Sequence, residues 1–344
     1  MTETHPPRAD SGRTRRAATG ADVALRAGVS TATVSLVLSA KAGKRIAPET
    51  QRAVLRAAEA LGYHPNLAAS VLAGGKTRTI AYVVAHADVR DPIFAEQLLG
   101  AERVARARGY AVMLLTGESG HGWEQEVTEA LRSRRVDGAV LQSSVAFDIP
   151  DLSPFEGTLV SNLPSPYAPS VDLDEVGGMN AALDHLVDLG HKRIGYLCVT
   201  TPGARRLSAY IQGMADRGLE PLVKKIPGHE WTVTESFVAA REMLVEQRPT
   251  ALVCFVDLYA AGVYKAARSL GLEVGRDLSV IAYGDSPIIG ILDPELTTVR
   301  LPGDEVGAIS IEILLSMLED GDRRPSVTMP LPLTIRGSTG PVRA

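Results

Sequence analysis

Seven short apolar runs restrict the fold of this chain more than any other feature: residues 80–84, 111–115, 138–141, 158–161, 193–198, 251–256 and 280–283. Each is mainly apolar with no polar alternation, and stretches of amphipathic helical pattern separate one from the next. A strand wetted on one face alternates apolar and polar residues, whereas a strand covered on both faces has no reason to. The runs therefore predict parallel sheets with helices on both sides, an α/β architecture. About 260 residues are too many for one doubly wound sheet, so two α/β lobes are expected.

The N-terminal part has a different grammar. Residues 1–18 are rich in Arg, Ala, Gly, Ser and Thr around Pro6 and Pro7, with no apolar period, and are expected to form a disordered basic tail. At Thr19 a helix can start, with Asp22 completing an acidic capping box, Val23, Ala24 and Ala27 on its inner face and Gly28 as its stop. Ser30 can cap a second helix to residue 39, with Val34, Val37 and Leu38 inward and Thr31, Ala32, Ser35 and Leu36 on other faces. Two short helices about a glycine-containing turn make a helix-turn-helix. A third helix begins at Pro48, keeps Val54, Leu55, Ala58 and Leu61 on one side and ends at Gly62. Its N-cap, Ala47, has no side chain to cap with, so fraying is expected there. After Pro65, residues 66–72 are Ala-rich and too short for a stable isolated helix, and Gly74 and Gly75 follow. They read as a conditional helix in a linker.

Charge separates the same two parts. The net charge is −4, yet residues 1–78 hold 12 Lys and Arg against 5 Asp and Glu, so the remainder is strongly acidic. A basic segment on an acidic body points to a polyanion partner, and charge alone leaves nucleic acid, an anionic membrane and a solvated tail open. No apolar run approaches the roughly 18 residues of a bilayer crossing, and no apolar stretch follows the basic N-terminus. Neither a membrane nor a secretory signal is expected. Cys198 and Cys254, the only cysteines, lie in apolar runs, which suits a reducing cytoplasm. His121, His185, His191 and His229 are scattered, no Walker loop or Gly-x-Ser-x-Gly elbow occurs, and Gly177-Gly178 reads as a turn and helix start. No enzymatic activity, metal or cofactor is expected.

The most specific signal runs from Thr19 to Asn66: Asp22-Val-Ala, Ala27-Gly-Val-Ser, Thr33-Val-Ser, Pro48-Glu-Thr and Leu61-Gly-Tyr-His-Pro-Asn66. It resembles the DNA-binding headpiece of the lactose repressor (LacI/GalR) family. Asp91-Pro-Ile-Phe-Ala-Glu96, Arg135-Val-Asp-Gly138, Leu189-Gly-His-Lys-Arg-Ile194, Ser279-Val-Ile-Ala-Tyr283 and Leu296-Thr-Thr-Val-Arg300 are similar to that family's effector domain. The resemblance covers residues 19 to about 338 and implies a headpiece at 19–64, a hinge helix or linker at 65–77 and an effector-binding and dimerisation domain at 78–344. In that domain it puts an N-lobe at about 78–161 and 291–322 and a C-lobe at about 162–290 and 323–340. It implies a regulator, usually a repressor, that binds a pseudo-palindromic operator as a homodimer in the cytoplasm, on the nucleoid.

By that resemblance Ser30, Thr33, Ser35, Tyr63 and Asn66 hold phosphates, a task suited to short hydroxyl and amide groups. Thr31, Ala32 and Leu36 take base-reading positions, Leu36 in place of a frequent Arg. None of the three can make the bidentate contacts to guanine or adenine that are worth about 1–3 kcal/mol each. Specificity then leans on DNA shape, on the hinge, or on Lys41, Lys44 and Arg45, in a loop longer than in the best-known members, where a solvated charge run is the alternative. Leu72 takes the position of the minor-groove wedge, with Ala69 and Ala73 small enough for paired hinge helices; packing on the lobe is its alternative.

The body resembles two-lobed periplasmic-binding-protein (type I) domains, whose small, often sugar-like ligand lies between the lobes. The resemblance assigns to that ligand Asp91 and Phe94 from the first lobe and Asn162, Arg206, Trp231, Asp257 and Asp285 from the second. A salt bridge is the competing role for Arg206, and simple packing for Trp231. Gly284, Val256 and Asn162 depart from the family pattern, which leaves open a different effector or a weakened site. A solute-binding protein of the same fold without specific DNA binding is the competing function; it predicts a secretion signal and no helix-turn-helix.

Overall fold

The computed structural model describes residues 18–38, 46–63, 76–84, 92–116, 122–142, 152–162, 164–199, 205–226, 232–321 and 324–343. Contacts divide the chain into two compact units, residues 1–77 and 78–344.

In the first unit, α1 (Gly20–Ala27), α2 (Thr31–Leu38) and α3 (Pro48–Leu61) enclose a core of Val23, Ala24, Val34, Val37, Val54, Ala57 and Ala58. The Thr19 backbone donates to Asp22 Oδ2 at 2.8 Å and the Asp22 backbone to Thr19 Oγ1 at 3.4 Å, a reciprocal capping box. Gly28 at φ 69° ends α1, and the next amide, Val29, donates to Ala24 O at 3.0 Å. α1 and α2 then meet at 103°. The third helix corrects one expectation, since Leu55 is 52% exposed and Ala57 is buried in its place. Positions 54, 57, 58 and 61 form the i, i+3, i+4, i+7 stripe, from which Leu55 is turned away by about 100°. At the uncapped start of α3, Gln51 Nε2 donates to Ile46 O at 2.9 Å.

In the second unit, the first lobe holds a parallel sheet ordered β2-β1-β3-β4, with β1 Thr79–Val84, β2 Ala111–Thr116, β3 Gly138–Gln142 and β4 Leu159–Ser161. Alternate residues of β1 face opposite layers. Ile80, Tyr82 and Val84 join a core with α4 (Pro92–Ala107) and the late helix α10 (Gly303–Asp320), while Ala81 and Val83 meet Trp123 and Val127 of α5 (Trp123–Arg132). Two covered faces explain the unbroken apolar run.

The second lobe is built on a six-stranded sheet, β12-β10-β9-β8-β6-β7. Its strands are β6 (Ile194–Val199), β7 (Leu222–Ile226), β8 (Ala251–Cys254), β9 (Ser279–Gly284), β10 (Thr297–Arg300) and β12 (Leu333–Thr334), parallel except for β12. Around it lie α6 (Glu175–Asp188), α7 (Arg205–Asp216), α8 (Val233–Glu246) and α9 (Asp257–Ser269). Asp174 caps α6 through the Gly177 amide, so Gly177-Gly178 sits in a first helical turn.

Two lobe boundaries differ from expectation. Residues 291–300 were expected in the N-lobe, but β10 pairs with β9 in the second sheet, and the chain enters the first lobe only with α10. Residues 162–173 were expected in the C-lobe, yet β5 (Val171–Leu173) pairs with β11 (Val327–Met329), and Val171 belongs to the first-lobe core.

His191 ties the C-terminal segment to the second lobe. Gly340 O can only accept, so His191 Nε2 carries the proton and donates to it at 3.0 Å, leaving Nδ1 to accept from Thr250 Oγ1 at 2.9 Å. Burial pushes this imidazole's pKa down, against the Gly340 bond, and nearby His185 adds to the fall. The folded protein thus binds fewer protons here than the unfolded chain, and stability present above the ordinary value of 6.5 is lost as pH falls below it. In urea melts from neutral to mildly acidic pH, the His191→Gln variant should be weaker than the parent by about 1–3 kcal/mol near neutrality, with the gap narrowing as pH falls. A constant gap would show that His191 does not titrate with folding.

Candidate nucleic-acid interface and effector cleft

At the N-terminus of α2, Ser30 Oγ accepts from the Thr33 amide at 3.1 Å and lies 2.9 Å from Thr33 Oγ1. The cap that starts the helix therefore also gathers two hydroxyls beside its unpaired amides, a setting that favours anionic oxygens. Val34 and Val37 anchor the opposite face, which leaves Thr31, Ala32 and Ser35 exposed and Leu36 38% exposed. Tyr63 is half-buried against the headpiece core, and its hydroxyl lies 3.2 Å from where a Cβ on Gly20 would stand, at the first turn of α1. On the phosphate role that the resemblance implies for Tyr63, Tyr63→Phe should weaken DNA binding about fivefold, equally on matched and unrelated duplexes, with the thermal melt unchanged. A loss confined to one sequence would make Tyr63 a base reader instead. Lys41, Lys44, Arg45, Asn66, Ala69 and Leu72, like most of the expected tail and hinge, lie outside the described residues.

The second unit contains a cavity of about 280 Å³. Pro92, Ile93 and Glu96 of α4 contribute from the first lobe, and residues at or just after the carboxyl ends of β8, β9 and β10 from the second. Ligands of open α/β sheets bind at these carboxyl ends of strands. Asp257 opens α9, where the helix dipole favours a carboxylate, and its Oδ2 accepts from the Ser286 amide at 2.9 Å. Gly284, a departure from the family pattern, has a physical reason here. Its φ is 128°, and a Cβ there would stand 2.5 Å from Asp257 Oδ2, so the missing side chain makes room for the Asp257 carboxylate. Asp285 accepts from Thr298 Oγ1 at 3.0 Å and pairs with Arg336 at 2.8 Å. Burial pushes the Glu96 carboxyl above its ordinary range; Arg300 opposes the shift, and Glu305, Asp257 and Asp285 reinforce it.

Of the expected effector residues, Asp257 and Asp285 line this cavity. Phe94 is 4% exposed and packs in the first-lobe core, because its place on α4 turns it toward Tyr82 and Val84. Asn162 follows β4, with its amide on Leu141 O, and is not part of the lining. Arg206 takes the salt-bridge role. Its Nε and Nη2 donate to Glu175 at 2.6 and 3.0 Å, its Nη1 donates to Phe255 O at 2.9 Å, and it lies 4.4 Å from the Tyr283 ring centre. Tyr283 lines the cavity, so Arg206 braces its wall. Asp91 and Trp231 lie outside the described residues. Glu96, Ser286 and Arg300 line the cavity without having been singled out. Glu96 and Arg300 close the Asp91–Glu96 and Leu296–Arg300 motifs, which is the signal the sequence offers for them, whereas Ser286 carries none.

A helix-turn-helix unit and a two-lobed α/β body with a polar cleft define a ligand-sensing DNA-binding protein. Residues 21–66 match the model of bacterial regulatory proteins of the lacI family, and residues 183–339 that of the periplasmic binding protein-like domain. The HTH-type transcriptional regulator MalR of Streptomyces coelicolor is 33% identical over 338 residues, 93% of this chain and 96% of that protein. A lac repressor dimer solved with operator and the anti-inducer ONPF shares 26% identity and a TM-score of 0.81, covering 94% of this chain and 100% of that one. A complex of the transcriptional regulator CelR with cellobiose shares 25% identity and a TM-score of 0.65, covering 93% and 99%. The chain belongs to the LacI family and is a DNA-binding transcriptional regulator.

Proposed function

We propose that this protein is a repressor that binds a pseudo-palindromic operator as a homodimer, under allosteric control of a small sugar-like effector held in the cleft. The observation that carries the reading is α2, whose valines face the headpiece core while its hydroxyl-rich N-terminus and the Thr31, Ala32, Ser35 and Leu36 face stay free of it. Such a helix suits a major groove, with Ser30, Thr33, Ser35, Tyr63 and Asn66 on phosphates and Thr31, Ala32 and Leu36 toward base edges. Lys41, Lys44, Arg45, Ala69 and Leu72 are assigned to the loop and hinge contacts. Effector and operator would each favour one lobe arrangement, which makes their binding reciprocal. The solved relatives, one a dimer on operator with an anti-inducer and one holding cellobiose, support the dimer and the polyhydroxyl effector. We assign the protein no enzymatic activity and place it in the cytoplasm on the nucleoid.

Ala32→Glu tests the role of α2. Ala32 is exposed, so the fold should be indifferent, while a carboxylate facing phosphates should weaken DNA binding at least about tenfold. Unchanged affinity in a titration at physiological salt would remove α2 from the interface.

A further inference from the structure

The cleft is richer in hydrogen-bond acceptors than a neutral polyol requires. Its lining carries three carboxylates, Glu96, Asp257 and Asp285, against one cation, Arg300. Arg336 offsets Asp285, and Arg300 is shared with Glu305 at 3.5 Å. Asp257 takes one backbone amide, and Glu96 has no hydrogen bond or ion pair among the described residues. A carboxylate only accepts, whereas a sugar hydroxyl both donates and accepts, so two carboxylates with no ion-paired side chain among the described residues favour a group that is donor only and positively charged.

A second, independent feature points to a ligand here. Ser286 is 6% exposed and lines the same cavity, and its Oγ has no hydrogen-bond partner. A buried hydroxyl left unpaired costs free energy that a bound partner recovers. Its own backbone amide already holds Asp257, so the free hydroxyl stands beside one of these two carboxylates.

We propose that the effector carries a protonated amine among its hydroxyls, with the ammonium facing Glu96 and Asp257 and a hydroxyl on Ser286 Oγ. This rests on the cleft being the effector site. A bound cation also favours the ionised form of Glu96, which burial and the neighbouring carboxylates disfavour.

Two achiral probes isolate the charge. Tris(hydroxymethyl)aminomethane, protonated near neutral pH, and 1,1,1-tris(hydroxymethyl)ethane differ only in an ammonium for a methyl group. Calorimetric titration of the full chain in phosphate buffer at matched ionic strength should find the amine binding about tenfold more tightly. Glu96→Gln should remove most of that preference, and Ser286→Ala should weaken both probes alike. Equal affinity for the two probes, lost in Ser286→Ala, would overturn the amine assignment and leave the cleft as an effector site. Binding of the amine that neither variant alters would place it elsewhere and overturn the proposal. No heat from either probe would overturn both this proposal and the reading of the cleft beneath it.

Discussion

Replacing Glu175 with alanine is expected to destabilise the 78–344 unit by about 3–5 kcal/mol, the cost of leaving one charge of a buried pair without its partner. The Arg206 and Glu175 side chains are each 11% exposed, and the two groups bond in a bidentate fork. With Glu175 gone, the guanidinium keeps, among the described residues, Phe255 O and the faces of Phe255 and Tyr283, too little to replace a carboxylate in so dry a site. A fall in melting temperature on the order of 10 °C follows for a unit of this size. The Glu175→Leu, Arg206→Met double variant should recover most of the loss, because it removes both desolvation penalties. A single variant as stable as the parent would mean that water reaches the pair. Tyr283 stacks on Arg206 and also lines the cleft, so Glu175→Ala should weaken effector binding even in the fraction that stays folded.

The second large effect is expected at the contact of α4 with α10. A Cβ at position 307 would fall onto Gln97 O and stand 2.7 Å from its carbonyl carbon, and one at position 100 would fall onto Asp304 O. The obstacles are backbone atoms, which cannot rotate aside as a side-chain tip can. The helices would have to part, opening voids around Phe94, Val306 and Ile311. Gly307→Ala should therefore cost about 3 kcal/mol, the upper end for overpacking, in urea unfolding. Gly290→Ala is the control: nothing lies within 4 Å of its Cβ position and its φ is not positive, so little change is expected. Comparable losses in both variants would contradict the close approach. Glu96 rides on α4 as well, so a shifted helix should also weaken ligand binding in the cleft.

What the sequence made legible followed periodicity and local chemistry. Continuous apolar runs marked the strands, most of them covered on both faces, although the run at β2 forms a sheet edge with Leu114 45% exposed; Thr19, Asp22, Gly28 and Ser30 marked helix ends because caps are local. Strands stabilised by their neighbours left no such trace. β7 reads Leu-Val-Lys-Lys-Ile, an edge strand with lysines on it, and β10 reads Thr-Thr-Val-Arg, buried by its partners rather than by its own composition. The lobe boundary that the resemblance implies also misses β10, which pairs with β9 in the second sheet. In the cleft, Asp257 and Asp285 were legible through the resemblance, while Ser286 became visible only when its hydroxyl proved to be buried without a partner. Arg206 was assigned to ligand because a sequence does not show that Glu175, on another helix, claims its guanidinium.

The central claim is that the headpiece reads a two-fold symmetric site. Its most direct test is selection of bound duplexes from a randomised DNA pool with purified protein at near-physiological salt, followed by sequencing, since specificity has meaning only at a stated salt. Enrichment of a pseudo-palindrome is expected, two inverted half-sites about one helical turn apart from centre to centre. Binding without an enriched sequence, or enrichment of a single half-site without its inverted copy, would contradict it.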